Sequence, residues 1–107
     1  MNKQDPMQQL KETLWQLVAV IPKGKVATYG QLARLAGYPS HARYVGTTLN
    51  RLPRSSSLPW FRVLRSSGEL AFPPASAPWK RQKALLEQEG VLFRGMKVPL
   101  KQYQWDQ

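Results

Sequence analysis

Two neighbouring aromatic side chains, Trp60 and Phe61, follow Pro59 in the most chemically informative stretch of this sequence. Neither an indole nor a phenyl ring loses a proton near neutral pH to become a nucleophile, so this pair cannot carry out covalent group transfer. An indole can instead stack on a nucleobase, which stabilises a complex by ~1 to 3 kcal/mol. Because an isolated Pro-Trp-Phe is also typical of a core tryptophan on a strand, the residues alone leave both interpretations open.

The rest of the composition excludes other reactive groups. The chain of 107 residues contains no cysteine and a single histidine, His41. Thiol nucleophiles, disulfides and zinc-thiolate sites are therefore excluded, and we expect no metal and no other cofactor. No nucleophile accompanies His41, so we expect this residue to start a helix or contact a DNA backbone rather than act as a catalytic base.

Basic residues without nearby carboxylates occupy the middle of the sequence. The formal net charge is +10, and neither Asp nor Glu occurs between Glu12 and Glu69. The basic residues of this interval are Lys23, Lys25, Arg34, Arg43, Arg51, Arg54, Arg62 and Arg65. An uncompensated positive interval is complementary to phosphate, whereas a charge that serves only solubility normally mixes both signs. The predicted partner is therefore a nucleic acid.

Periodicity and capping residues predict the helices of the first half. Apolar residues recur on one face from Pro6 to Val20, which predicts a first helix, and Thr28 can cap a short second helix that ends at Gly37. Ser40 is the expected cap of a third helix. Its expected core stripe consists of Val45, Thr48, Leu49 and Leu52. Two short helices joined by a glycine-containing turn indicate a helix-turn-helix.

The second half predicts a small wing and a fourth helix. Residues 61–65 and 69–72 flank Ser67-Gly68 and have the pattern of a short β-hairpin, and a helix is predicted for residues 78–89. The fold class expected for the single domain of residues 1–107 is therefore mainly α, with a winged-helix-like helix-turn-helix and a small β-hairpin wing. We expect the last eight residues to lie against the domain through Tyr103 and Trp105, or to fray.

The fourth helix carries negative charge near its C-terminus. Glu87 and Glu89 lie near the C-terminus of the fourth helix, where negative charge is unfavourable, so each needs a partner, with Arg62, Arg94 or a backbone amide as candidates.

The sequence has no run of 18 apolar residues and no cleavage-like N-terminus. We therefore expect no membrane association and a cytoplasmic protein, nucleoid-associated if bacterial.

The exposed face of the third helix is made of small side chains and one long cation. Opposite the core stripe lie Ala42, Arg43, Gly46, Thr47 and Asn50. A helix with side chains is ~10 to 12 Å across and the B-DNA minor groove only ~6 Å wide, so a helix that enters this groove must be slim. Small residues one turn apart also allow close packing between helices, and the spacing alone fits both uses.

Four stretches in order carry a family resemblance. They are Ile21 to Gly30, Ser40 to Gly46, Pro59 to Leu70 and Lys83 to Gly90. Together they closely resemble the C-terminal domain of the O6-alkylguanine-DNA alkyltransferases. In that family the third stretch reads Pro-Cys-His-Arg-Val and the cysteine accepts the alkyl group, whereas here Trp60 and Phe61 replace the cysteine and histidine. In this replacement the sequence resembles the alkyltransferase-like proteins, which keep the DNA-binding scaffold and carry tryptophan at the acceptor position.

The resemblance implies a role for each matching residue. Arg43 would insert into the base stack vacated by a flipped nucleotide, and Tyr29 would help to rotate the phosphate 3′ to it. The third helix would lie in the minor groove with Ser40, Ala42, Arg43, Gly46, Thr47 and Asn50. The lesion pocket would be formed by Tyr29, Pro59, Trp60 and Val63. Phe61 and Glu89 would be the inactive remnant of the relay that activates the thiol in the family.

The function implied by the resemblance is recognition of a lesion without repair of it. The protein would bind double-stranded DNA that contains O6-alkylguanine, as a monomer, flip the damaged base and flag it for nucleotide excision repair proteins. The loop of residues 68–79 is rich in proline and small residues, which favours a pocket roomy enough for bulky alkyl groups. Two alternatives remain open: an unusual transferase or glycosylase, and a winged-helix regulator that reads undamaged sequence in the major groove.

Overall fold

The computed structural model describes residues 6–53 and 56–107 and is mainly helical, as the sequence predicts. Its elements are α1 (Pro6–Val20), β1 (Ala27–Thr28), α2 (Tyr29–Leu35), α3 (Ala42–Asn50), a 3-10 turn (Trp60–Arg62), β2 (Val63–Leu64), α4 (Ala77–Gln88) and α5 (Leu100–Tyr103). Within the described ranges, no helix has both the length and the apolar character needed to cross a membrane.

Helix α1 has the predicted bounds and supplies one wall of the first of two apolar cores. Leu10, Leu14 and Val18 recur at helical spacing and are buried on the same face of α1. They pack in one cluster with Leu32 of α2, Val45 of α3 and other buried residues. Burial of this shared apolar surface therefore joins α1 to the pair of helices that follows it.

Helices α2 and α3 form the predicted helix-turn-helix. The Thr28 hydroxyl accepts a hydrogen bond from the Gln31 amide at 3.0 Å, and the Gln31 side-chain oxygen accepts one from the Thr28 amide at 3.3 Å. This capping box satisfies amides that the first turn of α2 leaves without helical partners. Gly37, at φ +91°, occupies a left-handed conformation in the turn between the two helices, which favours glycine.

The predicted cap of α3 is wrong by one residue. His41, not Ser40, is the N-cap of α3, and no side-chain hydrogen bond caps this helix. Ser40 lies one position too early to reach the first amides, and its hydroxyl oxygen instead lies 3.2 Å from Nδ1 of His41. The expected location of His41 at a helix start is confirmed. Of the predicted stripe, Val45 and Thr48 are buried.

The strand pairing differs from the predicted hairpin. Residues Val63–Leu64 pair in parallel with Ala27–Thr28, and Phe61 belongs to the 3-10 turn rather than to a strand. The predicted turn at Ser67-Gly68 is present, with the Arg65 amide donating to the Glu69 carbonyl at 3.0 Å, but Glu69 forms a bridge with Lys97 instead of continuing a hairpin. Both residues of β2 are fully buried, as is typical of a strand covered on both faces.

Helix α4 closes the second apolar core. It begins after Ser76, whose hydroxyl accepts from the Trp79 amide, and it runs one residue earlier at each end than predicted. Leu86 of α4 is fully buried in the second cluster. The other buried members of that cluster are Val26, Leu64, Leu70, Val91, Val98 and Tyr103. Leu64 of β2 belongs to this second cluster and Val63 to the first, so the sheet separates the two cores.

The C-terminal residues are held against the domain, as one of the two sequence expectations stated. The short helix α5 was not predicted, and its Tyr103 is buried in the second core. The Trp105 amide donates to the Val26 carbonyl at 2.7 Å, and the Trp105 ring packs on the first core. The side chain of Gln31 donates to the Trp105 carbonyl at 2.7 Å, so α2 also fixes this segment.

A largely buried ion pair connects the 3-10 turn to the end of α4. Arg62 Nε donates to Glu89 Oε1 at 2.9 Å, Arg62 Nη1 donates to the Ile21 carbonyl at 2.8 Å, and the Gly24 amide donates to Glu89 at 3.2 Å. Burial raises the pKa of the Glu89 carboxyl, but the hydrogen bonds from Arg62 and Gly24 and the charges of Arg62 and Lys23 outweigh it and hold the pKa below its ordinary value. The predicted partner Arg62 is therefore confirmed.

The variant Glu89→Gln should unfold more easily at neutral pH by about 3 kcal/mol, because it leaves the Arg62 guanidinium without its counterion. The folded-state pKa of Glu89 is lowered, so the contribution is fully present above the ordinary glutamate pKa of ~4.3 and is lost as the pH falls below it. Urea unfolding of both proteins between pH 7 and pH 3 should show the difference shrink at low pH.

The variant Glu87→Gln is the matched control. Glu87 pairs with Lys83 at 2.8 Å, but its side chain is 43% exposed, compared with 10% for Glu89. An exposed pair of this kind contributes at most about 1 kcal/mol. Equal destabilisation by the two variants would contradict the structural role of the Arg62–Glu89 pair.

Candidate nucleic-acid interface

One face of α3 and the start of α2 enclose a groove. The groove has a volume of about 430 Å³, and its opposite wall is formed by Arg65, Ser66 and Ala71. The residues of α2 and α3 that line it are Tyr29, Gly30, Ala42, Arg43, Gly46 and Asn50. The structure thus brings together Tyr29, Arg43 and most of the residues predicted for the DNA-binding helix.

Tyr29 presents a neutral phenol to this groove. As the first residue of α2 it directly follows β1, and its ring packs against the first core. Burial raises the pKa of the Tyr29 hydroxyl, and the nearby charge of Arg65 only partly opposes this effect. Among residues 6–53 and 56–107 the hydroxyl has no hydrogen-bond partner, so it remains available as a donor to an oxygen atom in the groove.

The Tyr29 ring lies beside Gly46 but does not require a glycine there. A Cβ atom added at Gly46 would lie 3.8 Å from Cε1 of Tyr29, which is ordinary van der Waals contact. The absence of a side chain at Gly46 is therefore not required by packing inside the domain. It leaves the groove face of α3 slim, together with Ala42 one turn earlier.

Arg43 is an exposed cation at the start of α3. It is the second residue of the helix, and neither of the ion pairs found in the described part of the chain includes it. Thr47 donates its hydroxyl to the Arg43 carbonyl at 3.2 Å, a bond within the helix. Ser40 and Thr47 both lie outside the lining of the groove, whereas the other predicted residues of this helix line it.

A second, larger cavity lies on the other side of Asn50. Its volume is about 590 Å³, and Asn50 lines both cavities. Its walls include Leu49, Leu52, Trp60, Phe72 and Arg81. The Trp60 ring meets the rings of Phe61 and Phe72 edge to face, with centroids 5.9 and 6.3 Å apart. Trp60 is half-buried at the wall of a cavity, so it differs from an ordinary fully buried core tryptophan.

The residues predicted for one lesion pocket are divided between these two cavities and the core. Tyr29 lines the groove and Trp60 the larger cavity, whereas Pro59 lines neither. Val63 is 1% exposed and belongs to the first core. Phe72 lies in the loop of residues 68–79 that the resemblance placed at the pocket, whereas sequence reasoning missed Leu49 and Arg81 as cavity residues. Leu49 was visible only as part of a core stripe, and nothing in the local sequence distinguishes Arg81 from other surface cations.

The remnant residues Phe61 and Glu89 both contact Arg62, and a phenyl ring has no group that could relay a proton between them. Phe61 packs on the second core with the Arg62 guanidinium 5.5 Å from its ring, and its carbonyl accepts from the buried Gln82 side chain at 3.0 Å. Both Glu89 carboxylate oxygens are bound to Arg62. In the part of the chain that the structure describes, no cluster of three His, Asp or Glu side chains is suited to hold a metal ion.

Residues 9–91 match the family model described as the 6-O-methylguanine DNA methyltransferase, DNA binding domain. The chain belongs to this family. The predicted resemblance is confirmed, because the match includes α2, α3, Trp60 and all of α4.

Named relatives within the methyltransferase DNA-binding family extend over most of the chain. A protein of Vibrio parahaemolyticus called DNA base-flipping protein is 43% identical over 100 residues, covering 92% of this chain and 98% of the relative. Alkyltransferase-like protein 1 of Schizosaccharomyces pombe is 38% identical over 104 residues, covering 92% of this chain and 96% of the relative. The crystal structure of S. pombe Atl1 with damaged DNA containing O6-carboxymethylguanine superposes with a TM-score of 0.88 at 37% identity, covering 96% of this chain and 100% of that one.

The variant Gly46→Ala should separate fold stability from DNA binding in this family member. Alanine inside a helix is more favourable than glycine by about 1 kcal/mol, and the added methyl group fits beside Tyr29, so thermal unfolding should occur at a higher temperature. The same methyl group thickens the face that we expect to enter a minor groove only ~6 Å wide. DNA affinity, measured by fluorescence anisotropy, should fall about tenfold, or about 1.4 kcal/mol. Unchanged affinity in the stabilised variant would mean that α3 does not enter a narrow groove.

Proposed function

We propose that this protein is a non-catalytic sensor of alkylated DNA. It binds the minor groove, flips O6-alkylguanine out of the duplex and holds the base without altering it. One observation carries the proposal: a groove that contains Tyr29 and Arg43 adjoins, across Asn50, a base-sized cavity whose wall is the indole of Trp60. Pockets for small molecules have volumes of roughly 300 to 1,000 Å³, and about 590 Å³ lies within this range.

The groove accounts for binding and for the flipped state. Ala42 and Gly46 let α3 enter the minor groove, and the exposed cations Arg43 and Arg65 supply positive charge on both sides of the groove. Rotating a base out of the duplex costs a few kcal/mol in pairing and stacking. The planar guanidinium of Arg43 recovers part of this cost by stacking in the vacancy, which a compact ammonium group would do poorly. Tyr29 donates its hydroxyl to the rotated phosphate.

The cavity accounts for recognition without transfer. The flipped base stacks on Trp60, and the alkyl group lies against the apolar walls of Leu49, Leu52 and Phe72. The chain has no cysteine to accept the alkyl group, and Glu89 is committed to Arg62 rather than to activating a nucleophile. The DNA complex is therefore reversible and the lesion persists in it.

The persistence of the lesion requires a later step by other proteins. We propose that the monomer presents the distorted duplex to nucleotide excision repair proteins in the cytoplasm, on the nucleoid in a bacterium. The alkyltransferase-like and base-flipping names of the relatives support a binding function, and the complex of S. pombe Atl1 supports DNA with an O6 adduct as the ligand class.

Competition binding should distinguish this function from both alternatives. A short duplex containing O6-methylguanine should displace a labelled damaged duplex at least tenfold better than the same sequence with guanine, and the intact mass of the protein should stay unchanged. A mass gain or release of the base would indicate an enzyme. A preference for one undamaged sequence, with no effect of the lesion, would indicate a regulator that reads the major groove.

The variant Arg43→Ala should lose more affinity for damaged DNA than for undamaged DNA. Loss of one phosphate contact would weaken binding to every duplex alike, whereas loss of the stacking guanidinium affects only the flipped state. We expect about a tenfold larger loss on the O6-methylguanine duplex, equivalent to about 1.4 kcal/mol. Arg51→Ala removes an exposed cation at the other end of α3 that does not line the groove, and serves as the control. Equal losses on both duplexes with Arg43→Ala would contradict stack insertion.

A further inference from the structure

The larger cavity combines apolar walls with one positively charged side chain. Leu49, Leu52, Trp60 and Phe72 form apolar parts of its lining, and Arg81 is its sole cation among the residues that the structure describes. The apolar walls suit the base and the carbon chain of an adduct. They do not account for an arginine in the same lining.

Among the residues that the structure describes, the Arg81 side chain has no partner that would explain its position. It is exposed on α4, and in the described ranges its side chain forms neither an ion pair nor a hydrogen bond. Two other cations of the domain are committed to internal contacts. Lys83, on the same helix, pairs with Glu87 at 2.8 Å, and Arg62 pairs with Glu89. The guanidinium of Arg81 is therefore free to bind an anion that enters the cavity.

We propose that Arg81 makes the lesion cavity selective for O6 adducts that end in an anionic group, above all a carboxylate. This inference rests on the proposed function, because it assumes that the flipped base occupies the cavity beside Trp60. A planar guanidinium binds a carboxylate through two parallel N–H···O bonds, which a neutral chain end of the same size cannot form as strongly. Arg81 would thus be a specificity-determining residue of the sensor.

The same guanidinium could contact an anion from another source, the phosphate backbone of the duplex. A phosphate contact would contribute equally to binding of damaged and undamaged DNA, whereas contact with the adduct depends on the chemistry of the lesion. The two sources therefore predict different patterns across a set of duplexes that share one sequence.

Competition binding with three duplexes tests the proposal. They carry guanine, O6-carboxymethylguanine or O6-carbamoylmethylguanine at one position, and the last two adducts match in size but differ in charge. We expect the carboxymethyl duplex to bind about tenfold more tightly than the carbamoylmethyl duplex, which corresponds to about 1.4 kcal/mol. Arg81→Gln should abolish this ratio while leaving the preference of the carbamoylmethyl adduct over guanine in place.

Two further variants complete the design. Lys80→Gln removes the same charge from an exposed neighbour on α4 that lies outside the cavity lining, and should keep the tenfold ratio. Arg81→Lys keeps the charge without the planar fork and should retain only part of the ratio. Circular dichroism and thermal unfolding establish that each variant is folded.

The possible results distinguish the role of Arg81 from the sensor function. Equal binding of the two adducts by the unaltered protein, both tighter than guanine, would overturn the role of Arg81 and leave the sensor function intact. A loss of affinity by Arg81→Gln that is equal on all three duplexes would assign Arg81 to the phosphate backbone. Equal binding of all three duplexes by the unaltered protein would overturn the sensor function itself.

Discussion

The parallel pairing of two very short strands fixes the site. Residue Ala27 pairs with Val63 and Thr28 with Leu64. Tyr29 directly follows the first strand, and the turn that carries Trp60 directly precedes the second. The backbone hydrogen bonds of this pair therefore set the distance between the groove and the larger cavity. Because Val63 and Leu64 are buried in different cores, a shift of register by one residue would turn each side chain toward the wrong core and displace the site.

Polar contacts hold the turn that carries Trp60 from both sides. Arg62 reaches the Ile21 carbonyl after α1 and the Glu89 carboxylate after α4, while the buried Gln82 side chain donates to the carbonyls of Phe61 and Val63. A buried amide or ion pair is costly unless its partners are present, so these contacts favour one arrangement of the turn. In this chain the carboxylate of Glu89 is paired with Arg62 and stabilises the turn that carries Trp60.

The sequence predicts local features well and long-range ones poorly. The bounds of α1, the cap at Thr28 and the slim face of α3 depend on residues within a few positions of each other, and the structure contains all three. The pairing of β1 with β2 could not be predicted, because strands of two residues have no measurable alternation and a parallel pair needs a long connection. For the same reason, the sequence could not assign Tyr29 and Trp60 to different cavities. The family pattern places both residues at the lesion, and only the fold shows that they line adjoining cavities.

The fold also divides the basic residues of the chain into those bound inside the domain and those exposed at the groove. The carboxylate-free interval suggests that all its basic residues face phosphate, yet Arg62 is bound inside the domain and Arg34 donates to the Gln107 carbonyl at 3.3 Å. Arg43 and Arg65, in contrast, are exposed on the two walls of the groove. A plot of the logarithm of the B-DNA affinity against the logarithm of the salt concentration has a slope of about −0.9 per neutralised phosphate. The salt dependence of DNA binding should therefore be shallower than the number of basic residues in the carboxylate-free interval implies. The cations that are bound inside the domain release no counterions when DNA binds.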